Sequence, residues 1–143
     1  MSGTILPTSP GTVSDTLPTD FQYVHEPSFT HKLNTERNKV VGYVDALEAY
    51  KQAIYKILNT ERYEYVIYSW NYGVEFKSLI GKPIYYVVPE IERRITDAIM
   101  QDDRTVSVGS FEFDTSKRGV VHVTFTAVSI YGEETIETDV SYV

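Results

Sequence analysis

DALEAYKQAIYKILNTERYEYVIYSWNYG, residues 45–73, is the stretch on which the fold turns. Ala46, Leu47, Tyr50, Ala53, Ile54, Ile57 and Leu58 recur at helical spacing and make one apolar stripe, while Lys51, Gln52 and Lys56 fall off it. Asp45 offers a side-chain oxygen at the N-cap, and Glu48 follows at the spacing of a capping box. The stripe stops at Asn59-Thr60-Glu61-Arg62. Tyr65, Ile67 and Ser69 then alternate with Val66, Tyr68 and Trp70, which predicts a short strand or extended piece, closed by Gly73. This stripe is a packing element and carries no chemistry, so function has to be read from what surrounds it.

Outward toward the C-terminus, Val74 to Ile80 reads as a short helix ended by Gly81. Ile84, Val88, Ile91, Ile95, Ala98 and Ile99 then hold helical spacing up to about Gln101. Pro89 lies inside that pattern, where it removes a hydrogen bond and disfavours helix at Val88. The expectation is a kink there, or a fresh start at Pro89 with Glu90 and Glu92 in the first turn. Arg104–Phe113, Val120–Val128 and Thr135–Val143 are strand-length runs rich in Val, Thr, Phe and Ile, joined by loops at 114–119 and 131–134. In the middle run Val121, Val123, Phe125 and Ala127 share a face opposite His122, Thr124 and Thr126. In the last, Ile136, Thr138, Val140 and Tyr142 face away from Thr135, Glu137, Asp139 and Ser141.

Toward the N-terminus, Phe29, His31 and Leu33 alternate with Thr30 and Lys32, and Val40, Val41, Tyr43 and Val44 follow the polar run Asn34 to Lys39. This predicts a hairpin whose second strand is broken by Gly42. Residues 1–19 hold Pro7, Pro10, Pro18, five threonines and a single charge, Asp15, the composition of an extended arm. The fold class is therefore α+β. Two main helices pack on a small antiparallel sheet of three C-terminal strands, with an N-terminal hairpin and an extended arm at 1–20 ahead of one domain at 21–143.

Composition excludes several functions. A net charge of −7 over 143 residues argues against nucleic acid, which requires a concentrated basic surface. The absence of cysteine removes disulfides and thiolate metal sites. No apolar run is long enough to span a bilayer, and the start lacks the pattern of a signal peptide, so a soluble chain made inside the cell is expected. Twelve tyrosines suit either a half-buried sheet or a surface covered by partners.

Candidate chemistry is thin. His25, His31 and His122 are not paired at metal-ligand spacing, Ser69 lacks a Gly-x-Ser-x-Gly frame, and Gly81-Lys82 lacks the upstream glycine of a phosphate loop. A glycosidase needs only two carboxylates flanking a cleft, and that minimum selects nothing here, although a small peptidoglycan glycosidase stands as the alternative function. Asp102-Asp103-Arg104 is the one organised group. Acids at a helix C-terminus oppose the helix dipole, so the triplet is either an internal salt bridge at a turn or a docking point for another subunit.

Ala49-x-x-Gln52-Ala53-Ile54-x-x-Ile57-Leu58-x-Thr60-Glu61-Arg62, then Tyr68-Ser69-x-x-Tyr72-Gly73-x-Glu75, then Leu79-Ile80-Gly81, resembles the baseplate proteins of contractile phage tails. The nearest likeness is to tail proteins of PBSX-like prophages, and more distantly to the sheath initiator of T-even phages and its counterpart in type VI secretion systems. The resemblance runs from about Thr30 to the C-terminus. Where the wider family carries Glu-Pro-Arg between second helix and sheet, this chain has Asp102-Asp103-Arg104, keeping the arginine and losing the proline.

The resemblance implies a structural, non-catalytic subunit without cofactors that joins baseplate wedge proteins to tail sheath subunits. It implies wedge docking through Asp102, Asp103, Arg104, Glu61, Arg62, Tyr72 and Gly73, and sheath-strand addition at Ile136, Thr138, Val140 and Tyr142. The N-terminal arm is the expected contact with tube or hub proteins. Neither nucleic acid nor membrane is an expected partner. The expected location is a virion tail baseplate or tailocin, after assembly in the host cytoplasm.

Overall fold

The computed structural model describes residues 27–143, so the N-terminal arm and His25 lie outside the described residues. The hairpin pairs β1 (Thr30–Asn34) with β2 (Lys39–Val44). β2 continues through Gly42, which takes up a left-handed φ of +79°, so the glycine bends the strand without ending it.

Helix α1 spans Ala46–Leu58. Asp45 caps it by accepting from Ala46 N, but Glu48 reaches Lys32 at 2.9 Å, so the expected capping box is replaced by a tie to the hairpin. Gln52 makes a second tie, accepting from Leu33 N and donating to His31 O, both at 2.8 Å. Ala49, Tyr50, Ile54, Ile57 and Leu58 are buried, while Ala46 is exposed.

Residues 65–70 form a run of turns and no strand. Tyr68 N donates to Tyr65 O and Tyr72 N to Ser69 O, closing local turns instead of a ladder. The aromatic and β-branched residues there have strand propensity, but propensity is realised only where a partner edge and a covering layer exist. The short helix expected after it is a single 3₁₀ turn, Lys77–Leu79.

Helix α2 runs unbroken from Ile84 to Met100 with Pro89 inside it, so the helix does not restart at Pro89. The proline is the sixth residue of the helix, close enough to its start that at most one ladder bond is lost. Its buried face is Val87, Ile91, Ile95, Ala98 and Ile99, so Val87 replaces the expected Val88 at the first turn, and Ile84 stays partly exposed.

β3 (Thr105–Asp114), β4 (Val120–Ser129) and β5 (Gly132–Ser141) form an antiparallel sheet in that order. The last connection is only Ile130-Tyr131, shorter than expected, and β5 starts three residues before Thr135. Both helices lie against one face, α2 over β3 and α1 over β5. Val121, Val123, Phe125 and Ala127 of β4 are fully buried beneath them, and burying a ring such as Phe125 contributes about 2–3 kcal/mol. Phe111 stacks on Phe125 at 5.3 Å between centroids, extending this core toward β3.

Candidate functional site

Three groups of residues bear on function. The first is the junction of α2 and β3. Arg104 grips Asp102 with two parallel bonds, Nε to Oδ1 at 2.9 Å and Nη2 to Oδ2 at 2.7 Å, and its own amide donates to Oδ1 at 3.0 Å. The guanidinium lies 5.7 Å from the Tyr50 ring centroid, and Tyr50 Oη meets Thr105 Oγ1 at 2.8 Å. Burial works against ionisation of Asp102, but the Arg104 donors outweigh it and hold its carboxyl below the ordinary range. The same bonds answer the dipole problem posed by acids after α2. Asp102 and Asp103 also line a cleft of about 350 Å³ with Tyr72, Asn71 and Gln101, so these two of the sequence-selected acids do converge with Tyr72.

The second group braces the loop at 61–76. Glu61 accepts from Phe76 N and Lys77 N at 3.2 and 3.1 Å. Arg62 donates to Gly73 O and bridges Asp97 of α2 at 3.0 Å. Its amide donates to Val74 O, and Val74 N donates to Thr60 O, which makes an isolated parallel bridge across the loop's neck. Gly73 has φ +94°, and a Cβ there would lie 2.5 Å from Thr60 O. Arg94 adds bonds to Glu90, Glu75 O and Ser78. Above this neck Tyr72 stacks on Tyr68 at 4.4 Å, and Tyr65 meets Tyr68 edge-on. What the loop presents is apolar: Val66 is fully exposed, Ile67 85% and Trp70 76%. The sequence pattern points to the braces and not to these three exposed side chains. The available signal was the apolar run itself, misread as a strand.

The third group is the β5 edge. All of β5 pairs with β4 in one unbroken register, Gly132↔Ser129 to Ser141↔Val120. Tyr142 N donates to Gly119 O, which sets the phase of the antiparallel alternation. Even-numbered residues of β5 exchange bonds with β4, so Glu133, Thr135, Glu137, Asp139 and Ser141 turn their N–H and C=O groups outward. Ile136 and Val140 are buried and Thr138 and Tyr142 half-buried, so the four residues expected to receive a strand point their side chains into the core. Beside the edge, α1 and β5 leave a groove of about 640 Å³ lined by Tyr55, Leu58, Asn59 and residues 135–139. Lys51 pairs with Glu134 there. The opposite edge is guarded: β3 shifts register twice, between Thr105 and Ser107 and between Gly109 and Glu112, and Ser110 adopts φ +54°.

On the open face of the sheet His122 Nδ1 lies 2.6 Å from Asp139 Oδ1, and Nε2 lies 4.0 Å from Glu137. The bond to Asp139 pushes the imidazole pKa up from its ordinary value. Among the described residues no three His, Asp or Glu side chains converge on a metal site, and no helix is long and apolar enough to cross a membrane.

A regular sheet edge beside a groove, together with a braced apolar loop, marks a small α+β chain with two distinct exposed surfaces. The chain belongs to the contractile injection system sheath initiator family, whose model matches residues 26–132. It is 36% identical over 119 residues to the phage-like element PBSX protein XkdS of Bacillus subtilis (strain 168), covering 80% of this chain and 83% of that protein. Membership places it among the structural components of contractile tails, as a sheath-related part. The family match stops at the first residue of β5, so the edge has to be argued from its own geometry.

Proposed function

We propose that this chain is the baseplate subunit on which a contractile sheath begins, joining wedge subunits on one side to a sheath strand on the other, without catalysis. The β5 edge carries this reading: a long, regular row of outward amides and carbonyls on a sheet whose other edge is broken by bulges. Strand addition here uses backbone, so Ile136, Thr138, Val140 and Tyr142 serve by holding β5 flat against the core. On the wedge side, Glu61, Arg62, Gly73, Asp102 and Arg104 act as positioning residues. They fix the loop that offers Val66, Ile67 and Trp70, with Tyr72 and Asp103 at the rim of its cleft.

Substituting Thr135→Pro or Glu137→Pro tests the edge. Each removes an outward donor and leaves the β4 ladder intact, a position where strand proline is tolerated. The folded variants should support tubes and baseplates that carry no sheath. Normal contractile sheath on such particles would overturn the proposal. Deleting β5 is a poorer test, because Ile136 and Val140 leave the core with it.

A further inference from the structure

The occupant of the groove between α1 and β5 is specified by two different walls. Toward α1 the groove offers the apolar surface of Tyr55, Leu58 and Ile136, together with Asn59 and with Lys51, whose charge is taken by Glu134. On the solvent face of β5, next to the same edge, stand Glu133, Glu137 and Asp139, all exposed. Side chains of directly paired residues on neighbouring strands share a face, so an added strand sees these walls alternately. Asp139 pairs with His122 and shares a small cavity with Lys117, and Glu137 lies 4.0 Å from the same imidazole, so a single histidine serves two carboxylates and leaves the row net negative.

We propose that β5 receives an antiparallel segment of roughly five residues that alternates apolar and basic side chains, apolar toward Tyr55 and Leu58 and basic beside Glu137 and Asp139. This rests on the strand-addition reading above. The antiparallel sense follows from the sheet, which has no parallel pair, and from the stronger pairing of antiparallel ladders over so short a span. Two nearer occupants fail on charge. A second copy's β5 brings Glu137 and Asp139 against their own kind. The chain's own residues 1–26 contain acids but no lysine or arginine, the first of which is Lys32. The segment therefore comes from a different chain.

The test appends a short glycine-containing turn and a strand after Val143 of the full chain, so that the strand folds back along β5 at high effective concentration. One version carries Val-Lys-Val-Lys-Val and another Val-Glu-Val-Glu-Val. Amide hydrogen exchange at Thr135, Glu137 and Asp139 reports occupancy, since these amides are open in the parent chain. The lysine strand should slow their exchange by about tenfold or more at low salt, and the glutamate strand should leave it nearly unchanged. The preference should invert in the double variant Glu137→Lys/Asp139→Lys. Equal protection by both strands overturns the charge code while leaving strand addition standing. Protection by neither overturns the code, and sheath assembly by the proline variants then decides separately whether the edge is used at all.

Discussion

The loop at 61–76 and the edge of β5 are held in opposite ways. In the loop the charged side chains are consumed internally: Glu61 by two amides, Arg62 by Asp97 and Gly73 O, and Glu64 by Lys77, while Arg94 of α2 beneath it is held by Glu90. In β5 Glu133, Glu137 and Asp139 are exposed, and the free hydrogen-bonding capacity lies in the backbone. The contrast teaches that a conspicuous charged motif marks where a chain is braced, while binding capacity resides where polar groups are left without an internal partner. Loss of a brace should cost stability, and loss of an outward group should cost assembly at nearly constant stability.

The largest expected effect is at the loop's neck. Gly73→Ala forces an L-residue into φ +94° and drives its Cβ to 2.5 Å from Thr60 O, so the bridge from Glu61 to Val74 must open. A destabilisation of roughly 3 kcal/mol is expected from the strained φ and the backbone clash together, measured by denaturant unfolding. A variant as stable as the parent would show that the neck is loose. Arg104→Ala comes next. It strands a mostly buried Asp102 carboxylate, and because the pair keeps a solvent edge the cost is about 2 kcal/mol, below that of a fully buried pair. Arg104→Lys should recover only part of it, since an ammonium cannot make the two parallel bonds. A fully stable Arg104→Ala chain that fails to assemble would make Arg104 a docking group after all.

The third effect is small in stability and large in assembly. Val66→Ser, Ile67→Ser and Trp70→Ser together remove exposed apolar surface that contacts little else, so unfolding should move by less than about 0.5 kcal/mol. Incorporation of the chain into baseplates should fall sharply. Wild-type incorporation would remove the loop from the wedge contact.

Much of this was legible in the amino-acid order. The period of Tyr50, Ile54, Ile57 and Leu58, and the alternation from Val121 to Ala127, impose one answer each because a face must be buried. The loop was not legible. Tyr65 to Trp70 reads as a strand locally, and only the absence of a neighbouring edge makes it a run of turns. The sequence leaves a kink and a restart at Pro89 both open for a related reason: its cost depends on distance from the helix start, and that start at Ile84 is marked by Pro83, with no side-chain cap. At the site, Asp102 and Arg104 stand out but the choice between an internal salt bridge and a docking point stays open, because two residues of separation in sequence do not say whether they face each other or a second chain.

The two regions should also respond to pH in opposite directions, an effect small in energy and sharp in spectroscopy. Glu90, which helps anchor Arg94 under the loop, has its carboxyl lowered to about 2 by its bonds to Arg93 and Arg94. A depressed acid contributes stability above its unfolded pKa of about 4.3, and that contribution fades as pH falls toward 2. His122 on the sheet is the reverse case. Its pKa is raised by the hydrogen bond to Asp139, so its contribution is complete below about 6.5 and is lost as pH climbs through the folded value. Both groups reach solvent and are screened, so the change is sought in the titration itself. Following the His122 ring protons by NMR should give a midpoint above that of a free imidazole, and Asp139→Asn should return it most of the way. A midpoint indifferent to Asp139→Asn would mean that the pair does not form in solution. Asp139 would then stand uncompensated beside Glu137, which adds to the negative charge along the edge that the incoming strand must meet.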